Sequence, residues 1–178
     1  MEFVILGFLM IRQLTQYEIR NALQQKVSPF FSASLGSIQA ALKKLESNEH
    51  VELTEVVENG RRKKIYSLNS SGKKYYLDWM LTSIAPHRLD QEVSTKLFFL
   101  GHMSPTERIT IVKAIITQLE VIVHEYESSA KEAHEKTVPE HLQQIAKYQL
   151  KTLDLGLFYY QSMLSWFISL ITEMEAEC

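Results

Sequence analysis

Cysteine is almost missing from this chain: Cys178 is the single one in 178 residues. One thiol forms no internal disulfide, and at that position it is not placed as a buried nucleophile, so the count fits a reducing, cytoplasmic setting. The six histidines, at 50, 87, 102, 124, 134 and 141, are scattered, with no His-x-x-x-His and no paired cysteine spacing to hold a metal. Glu120 and His124 share a helix face, but such pairs are ordinarily solvated. The six glycines build neither a phosphate-cradling loop nor a nucleophile elbow. No enzymatic activity, metal or cofactor is therefore expected. The apolar segment Met1 to Ile11 lacks a basic leader and a small-residue cleavage site and reads as a core helix. Leu155 to Thr172 runs 18 residues without a charge, yet it contains Tyr159, Tyr160, Gln161, three serines and Gly156, and acidic residues follow it, which argues against a membrane anchor.

What is present begins with an uneven distribution of charge. The net charge is −2, but residues 1–85 hold eleven Lys and Arg against eight Asp and Glu, whereas residues 86–178 hold eight against thirteen. The first half is suited to an acidic partner and the second is not. An apolar fraction of 46% is ample for a packed core.

The stretch Ser34 to Leu68, SLGSIQAALKKLESNEHVELTEVVENGRRKKIYSL, concentrates the chemistry. Leu35, Ile38, Leu42 and Leu45 recur at helical spacing and form one apolar stripe. The opposite face carries Gly36, Ser37, Ala40, Lys43, Lys44 and Ser47, small at its centre and cationic toward its end, a surface that can press against a polyanion. Val51 to Val57 and Ile65 to Leu68 read as two strands joined at Asn59-Gly60, a favoured hairpin turn, which places Arg61, Arg62, Lys63 and Lys64 at the tip of a ribbon. A helix with a small, basic outer face followed by a basic ribbon is the arrangement of a winged helix-turn-helix, with the helix in a major groove and the wing on the backbone. Either feature alone has a plainer reading, since two lysines on a helix or a cationic turn usually serve only solubility.

The flanking elements support the same plan. A first helix is expected over Glu2 to Ile11, with Phe3, Leu6, Leu9 and Met10 turned inward. Thr15 and Glu18 have capping-box spacing, so a second helix starts at Gln16 and runs to Lys26, burying Ile19 and Leu23; its amino end, at Gln16 and Tyr17, is suited to a DNA phosphate. Ser28-Pro29 ends that helix, and Phe30-Phe31 is expected in the core. After the wing, Asn69 to Gly72 leads into a helix of Lys73 to Ser83, with Tyr76, Leu77, Trp79, Met80 and Ile84 on its apolar positions.

The runs ILGFLMIRQLTQYEI, GSIQAALKKLESNEHVE and GRRKKIYSLNSSGKKYY resemble, in that order, the PadR family of bacterial transcriptional regulators. The resemblance spans about the first 85 residues. It implies a recognition helix at Ser34 to Ser47 and a wing at Arg61 to Lys64. Gln39 and Ala40 stand where the family often has Tyr and Pro, Gln16 stands near the usual His-Gly pair, and Asn69 replaces the usual Thr. The later run DQEVSTKLFFLG resembles the branch with a virulence-activator type helical C-terminus, and the family resemblance allows a small aromatic or hydrophobic effector.

In the second half, Asp90 is expected to cap a helix of Gln91 to Leu100 that Gly101 ends. Ser104-Pro105-Thr106-Glu107 is a capping box with proline at the first helical position. From it Ile109, Val112, Ile116, Leu119, Val123, Tyr126, Ala130 and Ala133 make a heptad seam. A second box, Thr137 to Glu140, opens a last helix with the seam Leu150, Leu153, Leu157, Tyr160, Leu164, Phe167, Ile171 and Met174. The two seams match in length and should fold as an antiparallel hairpin. Leu155, Tyr159, Met163, Trp166 and Leu170 form a second stripe that one partner helix cannot cover, which calls for a symmetry mate.

The expected fold is mainly α: a winged helix-turn-helix with a two-stranded wing in residues 1–85, and a long-helix antiparallel hairpin for dimerisation in residues 86–178. The expected function is a homodimeric, cytoplasmic, DNA-binding transcriptional repressor on a pseudo-palindromic site in double-stranded DNA, with no membrane role. DNA contacts are expected from Gln16, Tyr17, Ser34, Ser37, Gln39, Ala40, Lys43, Lys44, Arg61, Arg62, Lys63 and Lys64. The dimer interface is expected at Leu150, Leu153, Leu157, Tyr160, Leu164, Trp166, Phe167 and Ile171. Two alternatives stand beside this: a regulator sensing a small aromatic ligand through Trp79, Trp166, Phe98 and Phe99, and an adaptor whose basic face docks on an acidic protein.

Overall fold

The computed structural model describes residues 1–24, 34–58, 60–84 and 88–177, apart from the side chains of residues 58 and 61. The expectations at Lys26, Ser28, Pro29, Phe30, Phe31, Asn59 and Cys178 lie outside the described residues. The chain gathers into two compact units, Met1–Arg108 and Ile109–Cys178.

The first unit opens with α1 (Glu2–Leu9), β1 (Leu14–Thr15), α2 (Gln16–Gln24) and α3 (Leu35–Ser47). It continues with β2 (Val51–Glu58), β3 (Arg61–Leu68), α4 (Ser70–Leu81) and α5 (Leu89–Phe98). Helix α1 is buried nearly all round, with Val4 through Leu9 inside, because it packs on both α3 and α4. Ile19 of α2, Ile38, Leu42 and Leu45 of α3, and Tyr76 and Met80 of α4 complete the core. Each such side chain contributes roughly 1.5–3 kcal/mol through the apolar area it withdraws from water. Leu35, expected on this stripe, is instead 44% exposed at the first turn of α3, and Ala41 is buried instead.

The expected two-stranded wing forms from β2 and β3, and the sheet extends it in two ways. It has three antiparallel strands in the order β1-β3-β2, because Leu14 and Thr15 pair with Tyr66 and Ile65. The four cations lie at the turn end of the ribbon, as expected, but inside the strand: β3 begins at Arg61 and not at Ile65, and Arg61, Arg62, Lys63 and Lys64 lie opposite Glu58, Val57, Val56 and Glu55. Cross-strand pairing with β2 extends the strand through residues whose local composition reads as turn. Gly60 has φ +72°, the left-handed conformation a tight hairpin turn requires and glycine adopts freely.

Helix α4 starts at Ser70, three residues earlier than expected, because Asn69 caps it by accepting from the Gly72 amide at 2.8 Å. Helix α5 starts at Leu89, so Asp90 lies in its first turn and is not the cap, and a 3-10 turn over Leu100–His102 follows it. One interior feature has no counterpart in the sequence patterns. Lys96 is almost fully buried, donates from Nζ to the Thr82 carbonyl and lies 5.1 Å from the centre of the Trp79 ring. Desolvation holds its pKa down at about 8.

The second unit consists of α6 (Pro105–Glu135), which begins within the first unit, and α7 (Gln143–Ala176). The Ser104 box forms as expected: the Ser104 amide and hydroxyl both donate to the Glu107 carboxylate, at 2.9 and 2.6 Å. The Thr137 box does not start α7, which follows a 3-10 turn over Glu140–Leu142 and has Leu142, a side chain unable to cap, at its N-cap. The two helices run antiparallel: Lys113 pairs with Glu175 at 2.7 Å, the rings of Tyr126 and Tyr160 stand 5.2 Å apart, and His134 lies 4.0 Å from Asp154. On α6 the buried side chains are Ile111, Val112, Ile115, Leu119, Ile122 and Val123, a wider stripe than the heptad reading gives, as expected where 3.6 residues per turn drifts against 3.5. Among the described residues no helix is long and apolar enough to cross a membrane.

Candidate nucleic-acid interface

Helix α3 turns its small and basic side outward. Ser34 caps it, accepting from the Ser37 amide at 3.1 Å, while the Ser37 hydroxyl donates to the Ser34 carbonyl at 2.8 Å. Both serines are exposed, as are Gln39, Ala40 and Lys43. Lys44 is placed differently: its Nζ donates to Glu2 Oε1 at 2.8 Å, and this bond raises the Lys44 pKa. Its charge is therefore tied to α1, while Lys43 projects from the outer face.

At the amino end of α2 the capping box closes in both directions. Glu18 Oε2 accepts from the Thr15 amide and hydroxyl at 2.8 and 2.9 Å, and the Glu18 amide donates back to Thr15 Oγ1 at 3.2 Å. The other carboxylate oxygen accepts from Arg12 Nη1 at 2.8 Å. The Thr15 amide first, and then Arg12, hold the Glu18 pKa down at about 2, so it is ionised at any pH at which the chain would work. Gln16 is half-buried and Tyr17 is 68% exposed.

Along β3, Arg62, Lys63 and Lys64 are exposed, and Lys64 lies 3.7 Å from Glu55 across the strand pair. The side chain of Arg61 is outside the described residues. Between β3 and the chain at 12–18 lies an open cleft of about 770 Å³, lined by residues 12, 13 and 15–18 on one side and by Lys63, Lys64 and Ile65 on the other. It brings Gln16 and Tyr17 together with Lys63 and Lys64, and it adds Arg12, which the sequence patterns did not single out. The available signal was a basic residue just ahead of a capping box whose acid has a second oxygen to offer.

In the second unit, Phe167 and Ile171 are buried, Leu150, Leu153, Leu157, Tyr160 and Leu164 are half-buried, and Trp166 is 51% exposed. Leu155 and Phe158 are exposed by 67% and 69%, and Tyr159 and Ile168 are exposed as well. Thr152, Ser162, Ser169 and Thr172 each donate to the carbonyl four residues back, which satisfies their hydroxyls within the helix. Of the aromatic residues considered for a ligand, Trp79 stacks on Phe3 at 4.1 Å and Phe99 stands edge-on to Phe8 at 5.3 Å, so both serve as core. Phe98 is partly exposed. Among the described residues no group of three or more His, Cys, Asp or Glu is placed to hold a metal.

Comparison with known proteins places two models along the chain. Residues 5–78 match the transcriptional regulator PadR-like family, and residues 91–175 match the virulence activator alpha C-term family. The negative transcriptional regulator PadR of Bacillus subtilis (strain 168) is 27% identical over 115 residues, covering 64% of this chain and 63% of the relative's own length. The structure of Bacillus subtilis PadR with operator DNA is similar over 97% of this chain and 96% of that one, at 22% identity and a TM-score of 0.46. For the same protein with p-coumaric acid the coverage is 98% and 94%, with 21% identity and a TM-score of 0.43. A PadR-like regulator from Bacillus cereus matches over 99% of both chains at 21% identity and a TM-score of 0.41.

Proposed function

Because this chain belongs to the PadR-like family of transcriptional regulators, in the branch with a virulence-activator type C-terminal domain, we propose that it is a cytoplasmic, sequence-specific repressor that binds double-stranded DNA as a homodimer. Residues 1–85 form the DNA-binding part and residues 86–178 the dimerising part, and neither carries out catalysis. The observation that supports this best is the exposed outer face of α3, with Ser37, Gln39, Ala40 and Lys43 in one unit with a strand bearing Arg62, Lys63 and Lys64. In this reading α3 enters the major groove and reads base edges with Ser34, Ser37, Gln39 and Lys43, while Ala40 permits close approach. Gln16 and Tyr17 meet a phosphate, and Arg61 to Lys64 meet the backbone beside it. Lys44 reaches DNA only by exchanging Glu2 for a phosphate. Two copies joined through α7 set two recognition helices on a pseudo-palindrome.

Selection of bound fragments from genomic DNA tests the proposal: a shared inverted repeat is expected, and failure to enrich any fragment, or to bind random duplex at low salt, overturns it in favour of a protein adaptor. On the selected site, Lys43→Ala should weaken binding by roughly 1–3 kcal/mol and weaken random duplex less; equal losses would make Lys43 a backbone contact. The Bacillus subtilis relative was solved with p-coumaric acid, so a phenolic panel read by tryptophan quenching is the direct probe for the effector-sensing alternative.

A further inference from the structure

We infer that the cleft between residues 12–18 and β3 seats a phosphate of the DNA backbone, with Arg12 as the contacting residue and Glu18 as the group that positions it. This rests on the duplex-binding reading above. Arg12 lines the cleft from one side. Lys63 and Lys64 line it from the other as successive residues of β3, whose side chains leave opposite faces of the strand, with Lys64 3.7 Å from Glu55. Glu18 is the one acid among the lining residues. That acid is not loose in the cleft. One of its oxygens is held by the Thr15 amide and hydroxyl, and the other holds Arg12 Nη1.

Thr15 in turn pairs with Ile65, the neighbour of Lys64 on β3. A continuous chain of bonds therefore fixes the guanidinium relative to the strand that carries the two lysines. Nη1 also donates to the Gln13 carbonyl at 3.3 Å, while Nη2 and Nε have no acceptor among the described residues, and the side chain is 60% exposed. A planar fork anchored at one corner, with its remaining donors free, is ordered before the ligand arrives and loses little further freedom on binding it. The cleft is open and Tyr17 lines it, largely exposed, so a phosphate on a continuous strand can reach the site.

Two substitutions in the full chain, titrated with a DNA duplex over a range of salt, test the assignment. Arg12→Gln should weaken binding about tenfold and lower the slope of log affinity against log salt by about one per subunit. Glu18→Gln keeps the cap, since a capping box takes Glu or Gln, but replaces the charged anchor. Simple charge arithmetic says that removing an acid beside DNA tightens binding. A positioning role says that affinity falls, by about three- to tenfold, and that the double variant is no weaker than Arg12→Gln alone. Tighter binding by Glu18→Gln, or an unchanged slope for Arg12→Gln in a protein that still binds duplex, overturns this assignment and leaves the duplex-binding reading intact. If the parent binds no duplex, both fall. Inorganic phosphate at matched ionic strength should displace DNA no better than chloride; better displacement from the parent but not from Arg12→Gln would make the cleft a small-anion site instead.

Discussion

Gly72→Ala should destabilise the first unit without touching any proposed DNA contact. Gly72 is buried in the first turn of α4, and its amide is the one Asn69 caps. A β-carbon there would stand 1.9 Å from the His50 carbonyl oxygen and 2.8 Å from both the His50 carbonyl carbon and Leu68 Cδ1. The two His50 atoms are backbone, so no rotamer change relieves the clash. The start of α4 must retreat from β2 by about 1 Å, a backbone shift of the kind that overpacking forces at a cost of about 1–3 kcal/mol. That retreat also strains the Asn69 cap and its second bond, Nδ2 to the Glu49 carbonyl at 2.7 Å. Cap loss adds up to about 1 kcal/mol, and the better helix propensity of alanine returns about 0.5–1. The net expectation is about 1–3 kcal/mol. At about 2–4 °C per kcal/mol for a chain of this size, Tm should fall by about 3–10 °C in thermal unfolding followed by circular dichroism. Gly101→Ala is the control: a β-carbon at Gly101 has nothing within 4 Å, and Tm should move by less than about 2 °C. Gly72→Ala melting with the parent, or Gly101→Ala melting as low as Gly72→Ala, would refute the steric argument.

Further outcomes follow from the buried lysine and the exposed face of α7. Desolvation holds the Lys96 pKa at about 8 in the folded chain, below its ordinary 10.5, so the unfolded chain binds the extra proton between those values and stability rises with pH across that window. Lys96→Met removes this contribution; in denaturant titrations its stability relative to the parent should decline from pH 8 to pH 10.5, and a constant difference would refute the burial argument. Leu155→Asp combined with Trp166→Ala should shift the chain from dimer to monomer in sedimentation experiments and weaken operator binding at least tenfold, since two half-sites no longer bind as one. A variant that stays dimeric would move the interface away from this stripe.

Local chemistry was legible in the sequence, and pairing at a distance was not. The boxes at Thr15 and Ser104 form because each closes within one turn, and the inward positions of α2, α3 and α4 follow helical spacing. Asn69, read as a departure from a threonine pattern, performs the capping that the position requires. The same local logic starts the second strand of the wing four residues late, because the strand conformation of Arg61 to Lys64 is imposed by Glu55 to Glu58 opposite. It also missed β1, because two residues carry no periodicity and only their partners on β3 define them. Lys44 was read from its place on the helix, and its partner Glu2 lies 42 residues earlier. Arg12 carries no local signal for the same reason: its bond to Glu18 and the β3 residues across the cleft, some fifty residues later, are what distinguish it. The aromatic residues Trp79 and Phe99 look alike for core and for ligand until their ring partners are known.

The central position of β3 limits how the wing can change in length. Strands flank it on both edges, and its side chains alternate between two faces, with Arg62, Lys64 and the sealed Tyr66 on one and Lys63 and Ile65 on the other. One residue inserted between Arg62 and Ile65 would send every basic group beyond it to the other side, or else drag Tyr66 out of its seat. Two residues would restore the alternation and only lengthen the ribbon. Viable length variants of this hairpin should therefore differ by even numbers of residues, a parity rule that composition alone does not reveal.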